Sequence, residues 1–180
     1  MLSDLEIEDR LETVLPADEV MARVEALADR LAPQLREGAV GVCLLMGGLW
    51  FAADLTRALA RRGRPLSYDA LWLSSYGQGT ESAGACQLLA GPQRSLEGRQ
   101  ALIIDDVADS GVSLAEAVRI LKAAGAAEVL ACVFARKPAP APRAIEPDDF
   151  AWDAPPRFLV GYGMDIAGRY RDLPYIAAID

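Results

Sequence analysis

One run constrains this chain more than any other: Leu102-Ile103-Ile104-Asp105-Asp106-Val107-Ala108-Asp109-Ser110-Gly111-Val112-Ser113-Leu114. It opens on consecutive β-favouring apolar residues, passes two adjacent carboxylates and a short polar loop with one glycine, and runs into Leu114, Ala117, Val118 and Leu121 at helical spacing. That order reads as strand, loop, helix. Where a strand of an open parallel sheet feeds a helix, backbone N–H groups converge and the helix dipole favours an anion. An anion site and three carboxylates therefore lie within a few residues of one another. Such a pairing suits a ligand with a phosphate at one end and hydroxyls or a metal at the other.

Other phosphate-binding loops do not fit. A P-loop requires Lys after its last glycine, and Val112 follows Gly111. A dinucleotide fingerprint requires three glycines in the order G-x-G-x-x-G, and neither Gly77-Gln78-Gly79 nor Gly161-Tyr162-Gly163 carries the third.

The rest of the chain alternates in the same way. An acidic leader with Asp4, Glu6, Glu8 and Asp9 precedes Pro16, which can start a helix whose positive end suits Asp18 and Glu19. Val20, Val24, Leu27, Ala28, Leu31 and Leu35 fall on one face of it. Ala39 to Leu45 reads as a buried strand, Gly47-Gly48 as a second loop at a strand's carboxyl end, and Trp50, Leu55 and Leu59 as the apolar face of a helix ending near Gly63. Leu66 to Leu73 and Val129 to Ala135 are further strands, and the helix after Ser113 ends at Ala124-Gly125. This alternation predicts an α/β domain with a mostly parallel sheet flanked by helices.

The polar, glycine-rich stretch from Ser74 to Gly84 predicts a mobile loop. The prolines of Lys137-Pro138-Ala139-Pro140-Ala141-Pro142 end the regular rhythm. The aromatic-rich remainder, with Trp152, Phe158, Tyr162, Tyr170 and Tyr175, predicts a small C-terminal hood. The expected organisation is one domain over residues 1–180, with a sheet core at about 17–137 and the hood mainly at 138–180.

Charge and cysteine content narrow the chemistry. A formal net charge of −8 argues against nucleic-acid or anionic-membrane partners. No basic-then-apolar leader marks a secretory signal, and the longest uncharged stretch, Ala39 to Ala53, is shorter than the roughly 18–20 residues of a membrane span. Cys43, Cys86 and Cys132 read as thiols in a reducing compartment, which predicts a cytoplasmic protein. With no histidine present, catalytic triads built on His are excluded.

The stretch Leu102 to Ser113 fills, at every position, the phosphoribosyl-diphosphate (PRPP) signature of the type I phosphoribosyltransferases. The resemblance continues through Leu45-Met46-Gly47-Gly48, Ser74-Ser75-Tyr76-Gly77, Lys137-Pro138, Phe158-Leu159-Val160-Gly161-Tyr162, Asp165 and Arg171-Asp172-Leu173. These segments follow the order found in bacterial hypoxanthine-guanine phosphoribosyltransferases, from about Val20 to the end.

By that resemblance Asp105 and Asp106 hold the ribose hydroxyls of PRPP, Asp105 standing where the family usually has Glu. Ala108, Asp109, Ser110, Gly111, Val112 and Ser113 receive the 5′-phosphate, and Asp109 doubles as the catalytic acid beside N7 of the purine. Read alone, Asp109 could be a turn aspartate, and Ser113-Leu114-Ala115-Glu116 fits a capping box. Met46 and Gly47 belong to the diphosphate loop, where relatives have a cis peptide followed by a residue that is usually lysine. Ser75, Tyr76 and Arg171 complete the diphosphate contacts, with the Ser75-Tyr76 loop closing over the site.

Lys137, by itself a surface lysine, is assigned to the exocyclic oxygen of a 6-oxopurine. Phe158, by itself a core residue, stacks on the base while the backbone of Leu159 reads its edge. Asp165 is a Mg²⁺-associated acid, with Asp105 and Asp106 as further metal-side carboxylates. The resemblance implies purine salvage from PRPP and hypoxanthine or guanine, Mg²⁺ as cofactor, and a homodimer or homotetramer. The alternatives are a PRPP- or nucleotide-sensing regulator on the same fold, and a transferase for xanthine or another base.

Overall fold

The computed structural model describes residues 10–75, 86–139 and 141–179. Its main sheet is built from the apolar runs singled out above. β2 (Val40–Leu45), β5 (Gln100–Ala108) and β6 (Glu128–Arg136) form its centre, with β3 (Ser67–Ser75) and β4 (Cys86–Ala90) on one side and β7 (Asp149–Asp153) on the other. The strand order is β4-β3-β2-β5-β6-β7. Every neighbouring pair is parallel except β3 and β4.

Because a strand alternates its side chains between faces, β5 feeds two cores. Leu102 and Ile104 turn toward α1 (Ala17–Leu31) and α2 (Leu49–Arg61), packing with Val24, Leu27, Phe51 and Leu55. Ala101 and Ile103 turn the other way, onto Leu114, Ala117 and Leu121 of α3 (Val112–Ala123). Helices thus cover both faces, which is why the central strands read as continuous apolar runs with no alternation.

A second sheet, ordered β1-β9-β8, is antiparallel throughout and is made of β1 (Leu11–Leu15), β8 (Phe158–Val160) and β9 (Ile176–Ile179). It is fixed to the domain through Tyr162. That ring packs edge-on against Phe134 of β6 at 5.0 Å, Phe134 packs against Phe51 of α2 at 5.5 Å, and the Tyr162 hydroxyl donates to Asp54 Oδ2 at 3.0 Å.

The two sheets do not part along the chain at 138. β1, which reads as part of an acidic leader, belongs to the small sheet, and Asp149–Asp153 is the sixth strand of the main one. The holding interactions explain both. β1 pairs with β9 from the far end of the described chain. β7 is clamped by Arg30, whose Nη2 meets Asp149 Oδ1 at 2.9 Å, and by Arg136, which bonds Asp153 at 2.6 Å and lies 3.9 Å over the Phe150 ring.

Candidate active site

The carboxyl ends of β2, β3 and β5 converge on a cavity of about 630 Å³. β5 delivers Asp105 and Asp106 to its floor, and the segment from Ala108 to Ser113 curls over it into α3. Gly111 makes the turn. Its φ of 74° lies in the left-handed region, and a Cβ there would come within 2.5 Å of the Ile145 carbonyl oxygen. Gly111 is also the N-cap, so the helix begins one residue before Ser113. The capping box expected at Ser113-Glu116 is therefore not formed: Glu116 pairs with Arg119 at 2.6 Å, and Ser113 Oγ sits 3.7 Å from Cys86 Sγ. The first turn faces the cavity, where the Val112 N–H donates to Ser110 Oγ at 3.5 Å.

The loop between β2 and α2 forms the second wall. The Leu45–Met46 peptide is cis, and Gly47 lies so close to Asp106 that an added Cβ would fall 1.9 Å from Oδ2. Only glycine permits that approach. A third wall comes from the turn between β8 and β9, where Asp165 and Arg171 line the cavity. Arg171 Nη2 meets Asp165 Oδ1 at 2.7 Å, its Nη1 donates to the Gly163 carbonyl, and the Gly168 N–H donates to Asp165 Oδ2 at 2.5 Å.

Electrostatics at the floor are unbalanced. Burial pushes the Asp105 carboxyl well above the usual carboxylate range, and the neighbouring Asp106 charge pushes it further. Burial also raises Asp106, opposed by hydrogen bonding with Asp105 and by the Arg171 charge. Two acids held above their normal range in a cleft mark a place built for hydroxyl donors or a cation. Burial likewise raises Cys43, to about 11, and Cys132, leaving both as inert core thiols.

Of the residues singled out from sequence, Met46, Gly47, Asp105, Asp106, Ala108, Asp109, Ser110, Gly111, Val112, Ser113, Asp165 and Arg171 all line this cavity. Lys137, Phe158 and Leu159 do not. Lys137 directly follows β6, and its N–H donates to the Ala108 carbonyl at 3.1 Å, so its backbone abuts the loop. Phe158 is 51% exposed at the start of β8, and Leu159 is buried. Of the loop expected to be mobile from Ser74 to Gly84, Ser74 and Ser75 belong to β3, while the Ser75 side chain and residues 76–84, Tyr76 among them, lie outside the described residues. Sequence reading overlooked Trp72 and Leu89, both exposed along the cavity wall; Trp72 stands two residues before Ser74 on β3, a signal that strand alternation carries.

Among the described residues no group of three or more metal-ligating side chains gathers, and Asp165 bonds Arg171 and the Gly168 N–H. The pair Asp105-Asp106 nevertheless offers hard oxygens of the kind Mg²⁺ takes, one or two carboxylates with the remaining positions left to substrate phosphates and water. Among the described residues no helix is long and apolar enough to cross a membrane.

Comparison with known proteins agrees with this geometry. The family profile described as a phosphoribosyl transferase domain matches residues 16–167. The hypoxanthine-guanine phosphoribosyltransferase of Mycobacterium tuberculosis (strain CDC 1551 / Oshkosh) is 34% identical over 174 residues, spanning 93% of this chain and 85% of the relative. That of Bacillus subtilis (strain 168) is 33% identical, spanning 92% and 91%. A crystal structure of a Staphylococcus aureus hypoxanthine phosphoribosyltransferase superposes with a TM-score of 0.86 at 29% identity, covering 100% of this chain and 96% of that one.

Proposed function

This chain belongs to the hypoxanthine-guanine phosphoribosyltransferase family, and from that premise we infer that it serves purine salvage, moving the 5-phosphoribosyl group of PRPP to N9 of hypoxanthine or guanine. The products are IMP or GMP and diphosphate. N9 attacks the anomeric carbon as the bond from that carbon to the diphosphate oxygen breaks, and the purine gives up one proton.

The observation that carries this reading is the shared cavity. One strand end supplies two carboxylates, the next loop supplies a free helix N-terminus, and a facing loop supplies bare glycine backbone. Those are the needs of ribose hydroxyls, a 5′-phosphate and a diphosphate in that order. Asp105 and Asp106 accept from the ribose hydroxyls, and the N–H groups from Ala108 to Ser113 hold the phosphate. Gly47 and the Met46 backbone, with Arg171, Ser75 and Tyr76, hold the leaving diphosphate. Asp109 handles the N7 proton.

Lys137 abuts the cavity-lining Ala108 through its backbone, which supports reading the cavity as the sugar-phosphate end with the base toward the end of β6. Lys137 then bonds the 6-oxo group, Phe158 stacks on the ring and Leu159 meets its edge through backbone. The carboxylates of Asp105 and Asp106 fit Mg²⁺, and Asp165 would join them in holding it. When bound, Mg²⁺ supplies positive charge that stabilises the departing diphosphate. The protein works in the cytoplasm as a homodimer or homotetramer, without nucleic-acid partners, consistent with a net charge of −8.

The test is diphosphate release from PRPP with Mg²⁺ and hypoxanthine, guanine, xanthine or adenine in separate reactions. Release with the first two is expected. Binding of PRPP or nucleotide with no reaction from any base would replace the enzyme by a sensor.

A further inference from the structure

The loop that carries Asp109 is poorly held by burial. Asp109 and Ser110 are both exposed, and they lie between the buried end of β5 and the first turn of α3. Something else must fix their backbone. Arg143, from the proline-rich segment after β6, is placed to do so.

Its side chain is only 6% exposed, and a guanidinium so deeply placed needs its donors matched. Nε donates to the Asp109 carbonyl at 2.9 Å, and Nη2 donates to the Lys137 carbonyl. Nη1 meets both oxygens of Glu146, at 2.8 and 3.0 Å, which neutralises the charge from the solvent side. The adjoining backbone follows the same loop: the Ala144 N–H donates to the Ser110 carbonyl at 3.0 Å, and the Ile145 carbonyl fills the space a side chain on Gly111 would need. Arg143 does not line the cavity. It spans the two segments whose residues are assigned to N7 and to the 6-oxo group, neighbouring positions on one edge of the purine.

We propose that Arg143 is a positioning residue: its planar fork ties the Asp109 carbonyl to the Lys137 carbonyl and so sets the N7 acid and the 6-oxo reader in register on one base. Lysine cannot replace it fully, since a single ammonium head does not span two carbonyls and a carboxylate in one plane. The role rests on the phosphoribosyl-transfer reading and deepens it, because it ties base selection to a residue outside the pocket.

The experiment compares wild type, Arg143→Met, Arg143→Lys, Lys137→Met and the double variant Arg143→Met/Lys137→Met. The readouts are kcat and KM for hypoxanthine and PRPP, the rate ratio of hypoxanthine to adenine, and Tm. Misplacing either group by about 1 Å predicts a loss of order 100-fold in kcat/KM for hypoxanthine in Arg143→Met. The hypoxanthine-to-adenine ratio should fall at least about tenfold with it, and Arg143→Lys should recover part of both. With Lys137 already replaced, Arg143→Met should no longer change the ratio.

An unchanged ratio in Arg143→Met, with activity falling only as Tm falls, would overturn the proposal, as would losses that simply multiply in the double variant. If Arg143→Met does not fold, wild-type ratio and kcat in Arg143→Lys overturn it equally. A wild-type chain that releases no diphosphate with any purine overturns the reading and this role together, whereas an active wild type with an indifferent variant overturns the role alone.

Discussion

The two edges of the main sheet are built on opposite terms. At the amino edge the polar groups of Gln100, Arg36 and Arg99 are matched. Gln100, 3% exposed, accepts from the Arg36 N–H at 2.8 Å and donates to the Gln34 carbonyl and to Glu128, while Arg36 itself reaches Glu128 at 2.8 Å. Arg99 bonds the Gly38 carbonyl and Ser67. At the carboxyl edge two adjacent carboxyls are raised above their range, a helix N-terminus is open, and Met46 and Trp72 are each 42% exposed. One edge is complete in the protein alone, and the other is completed by what binds. Stability and function are thus drawn from different ends of the same strands.

The contrast can be broken most severely at Asp109. Asp109→Asn removes the carboxylate proposed to handle the N7 proton and should lower kcat by roughly 10²- to 10⁴-fold. PRPP binding by titration calorimetry and Tm should stay near wild type; turnover equal to wild type would remove Asp109 from the chemistry.

A change at the opposite edge should act the other way round. Gln100→Leu strands the Arg36 N–H and the Gln34 carbonyl and should cost about 2 kcal/mol in denaturant unfolding, with kcat unchanged at 25 °C. Lost activity without lost stability would show that the two edges are not separate.

The smallest effect sharpens the comparison. Asp105→Asn removes a carboxyl that the fold holds above its normal pKa, so it should stabilise the apo protein by about 1 kcal/mol at neutral pH while weakening PRPP binding. The sign follows from linkage: a raised carboxyl costs nothing below its unfolded pKa near 4, and its cost builds as pH rises from there and is complete above the native value. The stabilisation should therefore shrink as pH is lowered toward 4, as followed by Tm.

What could be read in advance depended on distance along the chain. The strand, loop and helix around Asp105 to Ser113 are contiguous, so local pattern was enough to find both the fold's centre and one wall of the cavity. The Met46-Gly47 and Asp165-Arg171 walls came from resemblance, since nothing local shows that Gly47 touches Asp106 or that Arg171 pairs with Asp165. β1 and β7 were missed because a short strand held by Ile179 or by Arg30 carries no pattern of its own. Ser113 misled for a related reason: the capping-box spelling was correct, but Gly111 in the left-handed region starts the helix earlier. Arg143, between prolines and charges, gave no signal until its two carbonyl partners were brought together.

The small sheet has a consequence for how the enzyme is made. β9 lies between β1 and β8, so the earliest described strand to leave the ribosome has no partner until the final one follows it. Asp165 and Arg171 sit in the segment that this late pairing draws into place. The cavity therefore gains its third wall only once β9 is in place. A polypeptide lacking Ile176–Ile179 would carry the turn from Ala108 to Ser113 on the main sheet and still lack that wall.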